Sequence, residues 1–234
     1  MTLEDTLKRR RNFRFFKQDN YPKKEIIDEI LKKSIEYAPI KNDIWHFNID
    51  IYGPSWHKEK DDLCIRTSCK YENNKLPWEE QVKLYNKWKK YPLNVSSGLE
   101  KYNDQVKAPY LLVYRKSPYH HNPMNNLPTF NDIKTWEKRF DISKDVAAIG
   151  AGIHAYVISI LANNLQIDSS FCRCIVDPKK TTAPFNSILQ NEQPYFTLGL
   201  GFADDELNSK VDKVFNEYKK NMKPELHNVI KWNE

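Results

Sequence analysis

The chain has 234 residues, 40% of them hydrophobic and 13% aromatic, with 37 basic against 31 acidic side chains. That length and supply of large apolar groups fit one globular domain with a sizeable core and exclude a disordered chain. The formal charge of +6 is a small excess in a chain rich in both signs, so it suits an anionic small ligand as well as nucleic acid.

Thr2 ahead of Glu4 and Asp5 marks a helix start, and a short helix is expected to end near Arg9 or Arg10. Met1 to Lys8 lack the apolar core of an export signal, and the cysteines fall as Cys64, Cys69, Cys172 and Cys174. Both features point to a reducing cytoplasm rather than a disulfide scaffold. Pro22 opens a second helix whose inward face is Ile27, Ile30, Leu31, Ser34, Ile35 and Ala38, and Pro39 stops it. Over 45–52 the pattern alternates, with Trp45, Phe47, Ile49 and Ile51 on one face and His46, Asn48, Asp50 and Tyr52 on the other. This is a strand with unequal faces.

Residues 53–107 are polar and broken by Pro77, Pro92 and Gly98, with one helix expected over 78–89; they read as a lid or insertion. A second strand is expected over 110–114, followed by a loop over 117–128. Asp141 or Ser143 then caps a long helix expected to end at Asn163 and Asn164, where Asn tolerates the left-handed conformation. Residues 146–167 carry no Asp, Glu, Lys or Arg and are long enough to cross a bilayer. Gly150, Gly152, His154, Ser159 and the polar last turn favour a buried core helix with no membrane role, and His154 reads as a core or interface histidine. A third strand is expected over 195–198, leading into Gly199 and Gly201, and a last helix over 206–220. The order of elements predicts one α+β domain over 1–234, a mixed or antiparallel sheet covered by helices.

Lys8, Arg9, Arg10, Arg11 and Arg14 fall within seven residues. Like charges packed this closely call for anionic partners, either solvent ions on an exposed face or a phosphate held by guanidinium forks. Residues 10–16, Arg-Arg-Asn-Phe-Arg-Phe-Phe, resemble the opening motif of the nitroreductase-like flavoproteins: two basic residues, Ser, a β-branched residue, a basic residue, any residue and Phe. The resemblance implies that Arg10, Arg11 and Asn12 hold the phosphate and ribityl chain of FMN, and that Arg14 lies beside the flavin ring and stabilises its reduced form. Asn12 replaces the usual Ser and still offers a donor.

Residues 38–43 before the first strand, and Asn103, Gln105, Ala108 and Pro109 before the second, are similar to further family segments. They imply cofactor-binding roles for Asn42 and Asn103. Cys172 and Arg173 stand where the family places a glycine-containing loop over the ring. Residues 194–202 resemble its Gly-x-Gly strand, and Lys220 and Lys223 its C-terminal basic pair on the phosphate. The long helix resembles the family's dimer helix, its small residues Gly150, Ala151, Gly152 and Ala155 permitting close approach.

The family likeness implies a homodimer with FMN at the interface that takes hydride from NADH or NADPH and passes it to a small acceptor such as a nitroaromatic or a quinone. Tyr71, Trp78 or Tyr85 are candidates for the acceptor pocket. No catalytic residue beyond the flavin and no metal is expected. A zinc site from Cys64, Cys69, His120 and His121 has the wrong spacing. Two other readings stay open: a family fold with lost or altered flavin activity, and a nucleic-acid or other anion binder using the basic cluster with Phe13, Phe15 and Phe16 as stacking groups.

Overall fold

The computed structural model describes residues 2–40, 45–66, 76–93, 101–121, 144–175 and 183–219. Among them are six helices, α1 (Leu3–Arg9), α2 (Lys24–Tyr37), α3 (His57–Arg66), α4 (Trp78–Trp88), α5 (Lys144–Asn164) and α6 (Asp205–Lys219). The strands are β1 (Trp45–Tyr52), β2 (Tyr110–His121), β3 (Asp168–Cys172) and β4 (Phe196–Gly201). The strands form one sheet in the order β1-β2-β4-β3, every pairing antiparallel.

α1 starts where its cap requires. The Asp5 N–H donates to Thr2 Oγ1 at 3.1 Å while the Thr2 N–H returns to Asp5 Oδ2 at 3.2 Å, a reciprocal cap that satisfies a backbone donor at each position. α2 buries Ile27, Ile30 and Ser34, but Ile35 is 62% exposed, so the inward stripe is narrower than its spacing suggests. β1 has the expected bounds, yet Tyr52 is buried, because the second face of the sheet is covered as well, and Ile51 is exposed.

One face carries α2 and α5, packing Ile27, Ile30, Ala151, Ala155 and Ile158 against Phe47, Leu112, Tyr114, Leu198 and Leu200. The other carries residues of the 53–107 region, with Leu63, Cys64, Tyr85, Tyr102 and Val106 against Leu111 and Val113. A strand covered on both sides reads as an unbroken apolar run, as β2 does from Tyr110 to Tyr114. β2 then continues to His121, where a loop was expected.

α3 was not visible in its charged sequence. It is fixed by Lys60, 2% exposed, whose Nζ donates to the carbonyls of Gly53, Ala108 and Pro109 at 2.9, 2.8 and 2.6 Å. Burial pulls its pKa down to about 7, an effect those three acceptors oppose. Tyr85 is buried and donates to Asp61 at 2.6 Å, so it is a packing residue rather than pocket lining. Trp78 lies under Arg66 at 4.9 Å. Tyr71 lies outside the described residues.

α5 ends at Asn164, but the left-handed residue is Gln166, at φ 62°. The segment Ala147–Asn164 is apolar and long enough to cross a membrane by length and composition, and 44% of it is buried in the protein. His154 is a core histidine, 1% exposed, bonded to Ser34 and Tyr114.

Candidate functional site

The chain leaves α1 extended and is threaded along β3, β4 and α6. The Phe13 N–H donates to Ser169 O at 3.2 Å, Lys17 N–H to Phe202 O at 2.9 Å, and Phe16 bridges Ala203. Asn208 of α6 clamps the segment. Its Oδ1 accepts from the backbone N–H groups of Arg14 and Phe15 at 2.7 and 3.2 Å, while its Nδ2 donates to Phe15 O at 2.7 Å. Phe13, Phe15 and Phe16 are each at most 6% exposed. They anchor the segment and are not stacking platforms for bases.

Burying those rings sets the basic side chains along a surface, where most find protein acids. Lys8 pairs with Glu4 at 2.6 Å, Arg9 with the buried Asp168 at 3.1 Å, and Arg11 with Asp212. The Arg11 guanidinium also lies 4.6 Å over the Phe13 ring. Arg10 differs: it sits 5.4 Å over Tyr156 of α5 and has no carboxylate partner among the described residues. Arg14 is half-buried.

From this segment Asn12 reaches β3. Its Oδ1 accepts from Phe171 N–H at 2.5 Å, and its Nδ2 donates to Phe171 O at 3.3 Å and Gln105 Oε1 at 3.4 Å. Gln105 Oε1 also accepts from Ser170 Oγ at 2.7 Å, and Gln105 Nε2 donates to Asn103 Oδ1. Asn103 Nδ2 in turn donates to Cys172 Sγ at 2.8 Å. The structure thus brings together three predicted residues from remote segments, Asn12, Asn103 and Cys172, joined by Gln105 and Ser170. Gln105 was named from the sequence as part of a family-like segment with no role of its own, and Ser170, Asp168 and Asn208 were not singled out. All four are buried polar residues satisfied by long-range partners, and that appears in sequence only as scattered Gln, Ser, Asp and Asn.

Two of the expected cofactor residues turn their side chains inward. Cys172 lies on a strand, where a loop was expected, and is 3% exposed with its thiol pushed up to about 11 by burial. Asn103 is 1% exposed. Their side chains hold each other and support the site from inside. Arg173 is exposed and lines a cavity of about 470 Å³ with Ile149, Gly152, Phe171, Tyr195 and Phe196, a size common for small-molecule sites. Phe171, which Asn12 holds by its backbone, thus forms part of an aromatic wall with a cation at its rim. Asn42, Lys220 and Lys223 lie outside the described residues. No group of three or more metal-ligating side chains occurs among those described.

No protein-family model matches the chain, and no curated protein sequence matches it. Solved structures do. An FMN- and NADPH-dependent nitroreductase from Sphigopyxis sp. strain HMH aligns over 100% of both chains at 13% identity and a TM-score of 0.58. An FMN-dependent nitroreductase from Mycobacterium smegmatis, solved with NADPH, covers 99% of this chain and 97% of its own at 14% identity and TM-score 0.58. A BluB-like flavoprotein from Clostridium difficile 630 covers 100% of both at 16% identity and TM-score 0.55. The chain has the nitroreductase fold, an antiparallel sheet between helical layers.

Proposed function

We propose that this protein is an FMN-dependent oxidoreductase that passes an electron pair from NADH or NADPH to a small organic acceptor and works as a homodimer. The observation that carries the proposal is the junction of residues 10–14, 103–105 and 170–173 beside an aromatic cavity. The nitroreductase fold supports it. The lining suits the flat apolar ring of FMN, with Phe171, Tyr195 and Phe196 against it, and Arg10, outside that lining, offers the anionic tail a guanidinium that no carboxylate engages among the described residues.

FMN, when bound, supplies the hydride chemistry, and the chain's residues bind and orient it. Arg10 takes the phosphate, since a guanidinium not committed to a carboxylate keeps its full set of donors. Arg11 serves the phosphate less, its charge being offset by Asp212. Lys220 and Lys223 are assigned to the phosphate, and Asn42 to the cofactor, on the sequence resemblance alone. Arg14 provides fixed positive charge for the ring, and a preorganised cation favours the state in which negative charge develops. Asn12 fixes the position of Phe171, while Asn103 and Cys172 brace β3 behind it. Arg173, at the cavity rim, meets the acceptor and favours one with an anionic or strongly electronegative group, as in nitroaromatics and quinones.

The test is retention of added FMN through gel filtration, followed by bleaching of its visible absorption with NADH and with NADPH. Co-elution and bleaching that reverses on adding a quinone or a nitroaromatic are expected. A protein that retains no FMN would end the reading and leave a nitroreductase fold without flavin activity.

A further inference from the structure

β3 ends at Cys172, and Cys174 follows after one residue. The chain leaves the strand at Cys172, and with one residue between them the two Cα atoms are no more than about 7 Å apart. A disulfide needs Cα atoms roughly 4.4–6.8 Å and Cβ atoms about 3.5–4.5 Å apart, closer than neighbours on one face of a strand stand, so the pairing depends on the chain leaving the strand at Cys172. The two residues are also in contact: Cys172 shares a side-chain hydrogen bond with Cys174 and a second with its backbone. Asn103 Nδ2 holds the Cys172 sulfur at 2.8 Å. Both thiols are free, Cys172 buried and Cys174 exposed.

We propose that Cys172 and Cys174 form a reversible dithiol–disulfide couple that reacts with hydroperoxides, Cys174 meeting the oxidant and Cys172 resolving it. The Cys174 sulfur attacks the terminal oxygen of a hydroperoxide; the O–O bond breaks, an alcohol (water, from hydrogen peroxide) leaves, and Cys174 becomes a sulfenic acid. The Cys172 sulfur then attacks the Cys174 sulfur. The S–S bond forms, the S–O bond breaks, and hydroxide leaves as water with the Cys172 proton. Two electrons pass from the thiol pair to the peroxide, and a small thiol reductant returns them by exchange. Burial shields Cys172 from the oxidant, and its thiol gives up its proton as it attacks a sulfenic acid already in contact with it. The couple requires no flavin, so it stands or falls independently of the function proposed above.

The experiment uses the full reduced chain, treated with one equivalent of hydrogen peroxide, quenched with acid, unfolded, alkylated and mapped by peptide mass. Two of the four thiols are expected to be lost, the peptide spanning residues 172–174 to be lighter by two hydrogens, and dithiothreitol to restore both. Cys174→Ser, a change at an exposed position, is expected to leave Cys64, Cys69 and Cys172 fully alkylated after the same treatment. Oxidation of Cys174 to sulfinic acid with Cys172 still alkylated, pairing with Cys64 or Cys69, or no loss of thiols would each overturn the proposal.

Discussion

The basic cluster shows how neighbouring charges diverge once a chain folds. Arg9 and Arg11 bind acids from β3 and α6, whereas Arg10 rests on an aromatic ring. Arg10→Ala is therefore expected to weaken FMN binding by about 1.5–3 kcal/mol, the range for hydrogen bonds to charged groups. Arg11→Ala is expected to weaken it less and to cost at most about 1 kcal/mol of stability, because the pair with Asp212 is partly exposed. Flavin fluorescence titration of both variants checks the order, and equal losses would refute the division of roles. His154 offers a second test at this scale. Ser34 Oγ donates its one proton to Leu31 O at 2.7 Å, so the 2.9 Å contact to His154 Nε2 needs the proton on nitrogen. Nδ1 is then left to accept from Tyr114 Oη at 3.1 Å. Burial lowers the pKa of this histidine from 6.5 to about 4. A folded pKa below the unfolded one means that protons bind the unfolded chain better. The histidine's contribution is thus intact above pH 6.5 and is lost as pH falls through about 4, by about 3 kcal/mol. Urea midpoints of the wild type and His154→Gln across that window should converge as the pH drops; parallel declines would show that other groups set the acid response.

Among the elements, β4 depends on two glycines for its seat. A Cβ on Gly199 would lie 2.6 Å from Ala108 Cβ, and one on Gly201 would lie 2.6 Å from Pro109 Cδ and 3.0 Å from Phe16 Cδ1. Both glycines therefore let the strand press against the turn that carries Asn103 and Gln105 and against the N-terminal segment. Gly201→Ala is expected to destabilise by about 1–3 kcal/mol through overpacking, whereas Gly53→Ala meets nothing within 4 Å and should change little. Equal denaturation midpoints for the two variants would contradict this. What sequence revealed obeys the same physics. α2, α5, α6 and β1 announced themselves through caps, prolines and apolar spacing, and the Gly-x-Gly and Arg-Arg-Asn segments carried the resemblance. β3 did not, because Asp168, Ser169 and Ser170 are polar yet buried. Their burial rests on Arg9 and Ala203 N–H for Asp168, on Ser159 for Ser169 and on Gln105 for Ser170, all of them distant in the chain or on other elements. The same dependence on tertiary partners hid Ser170, Asp168 and Asn208, as well as the role of Gln105, and the charged sequence of α3 gave no period to read.

For the whole molecule, the question is what covers α5. Ile149, Ile153 and Tyr156 are 63%, 37% and 42% exposed at positions i, i+4 and i+7, which places them on one stripe. α1 packs against α5 and adds Leu3 and Leu7, 67% and 42% exposed. A contiguous apolar face of this kind marks an interaction site, and a second copy of the chain covering it fits the proposed homodimer. Ile153→Glu is expected to yield a folded monomer by sedimentation equilibrium and, since Tyr156 of the same stripe lies under Arg10, to lose FMN retention as well. Gly152 separates the alternatives further. A Cβ there meets nothing within 4 Å in the single chain, so Gly152→Ala in a monomer should only strengthen the helix, by about 1 kcal/mol. In a dimer whose backbones approach at this glycine, the added methyl group intrudes and weakens association. A wild-type chain that sediments as a monomer at every concentration, with Gly152→Ala simply more stable, would remove the dimer and with it the shared setting proposed for the flavin.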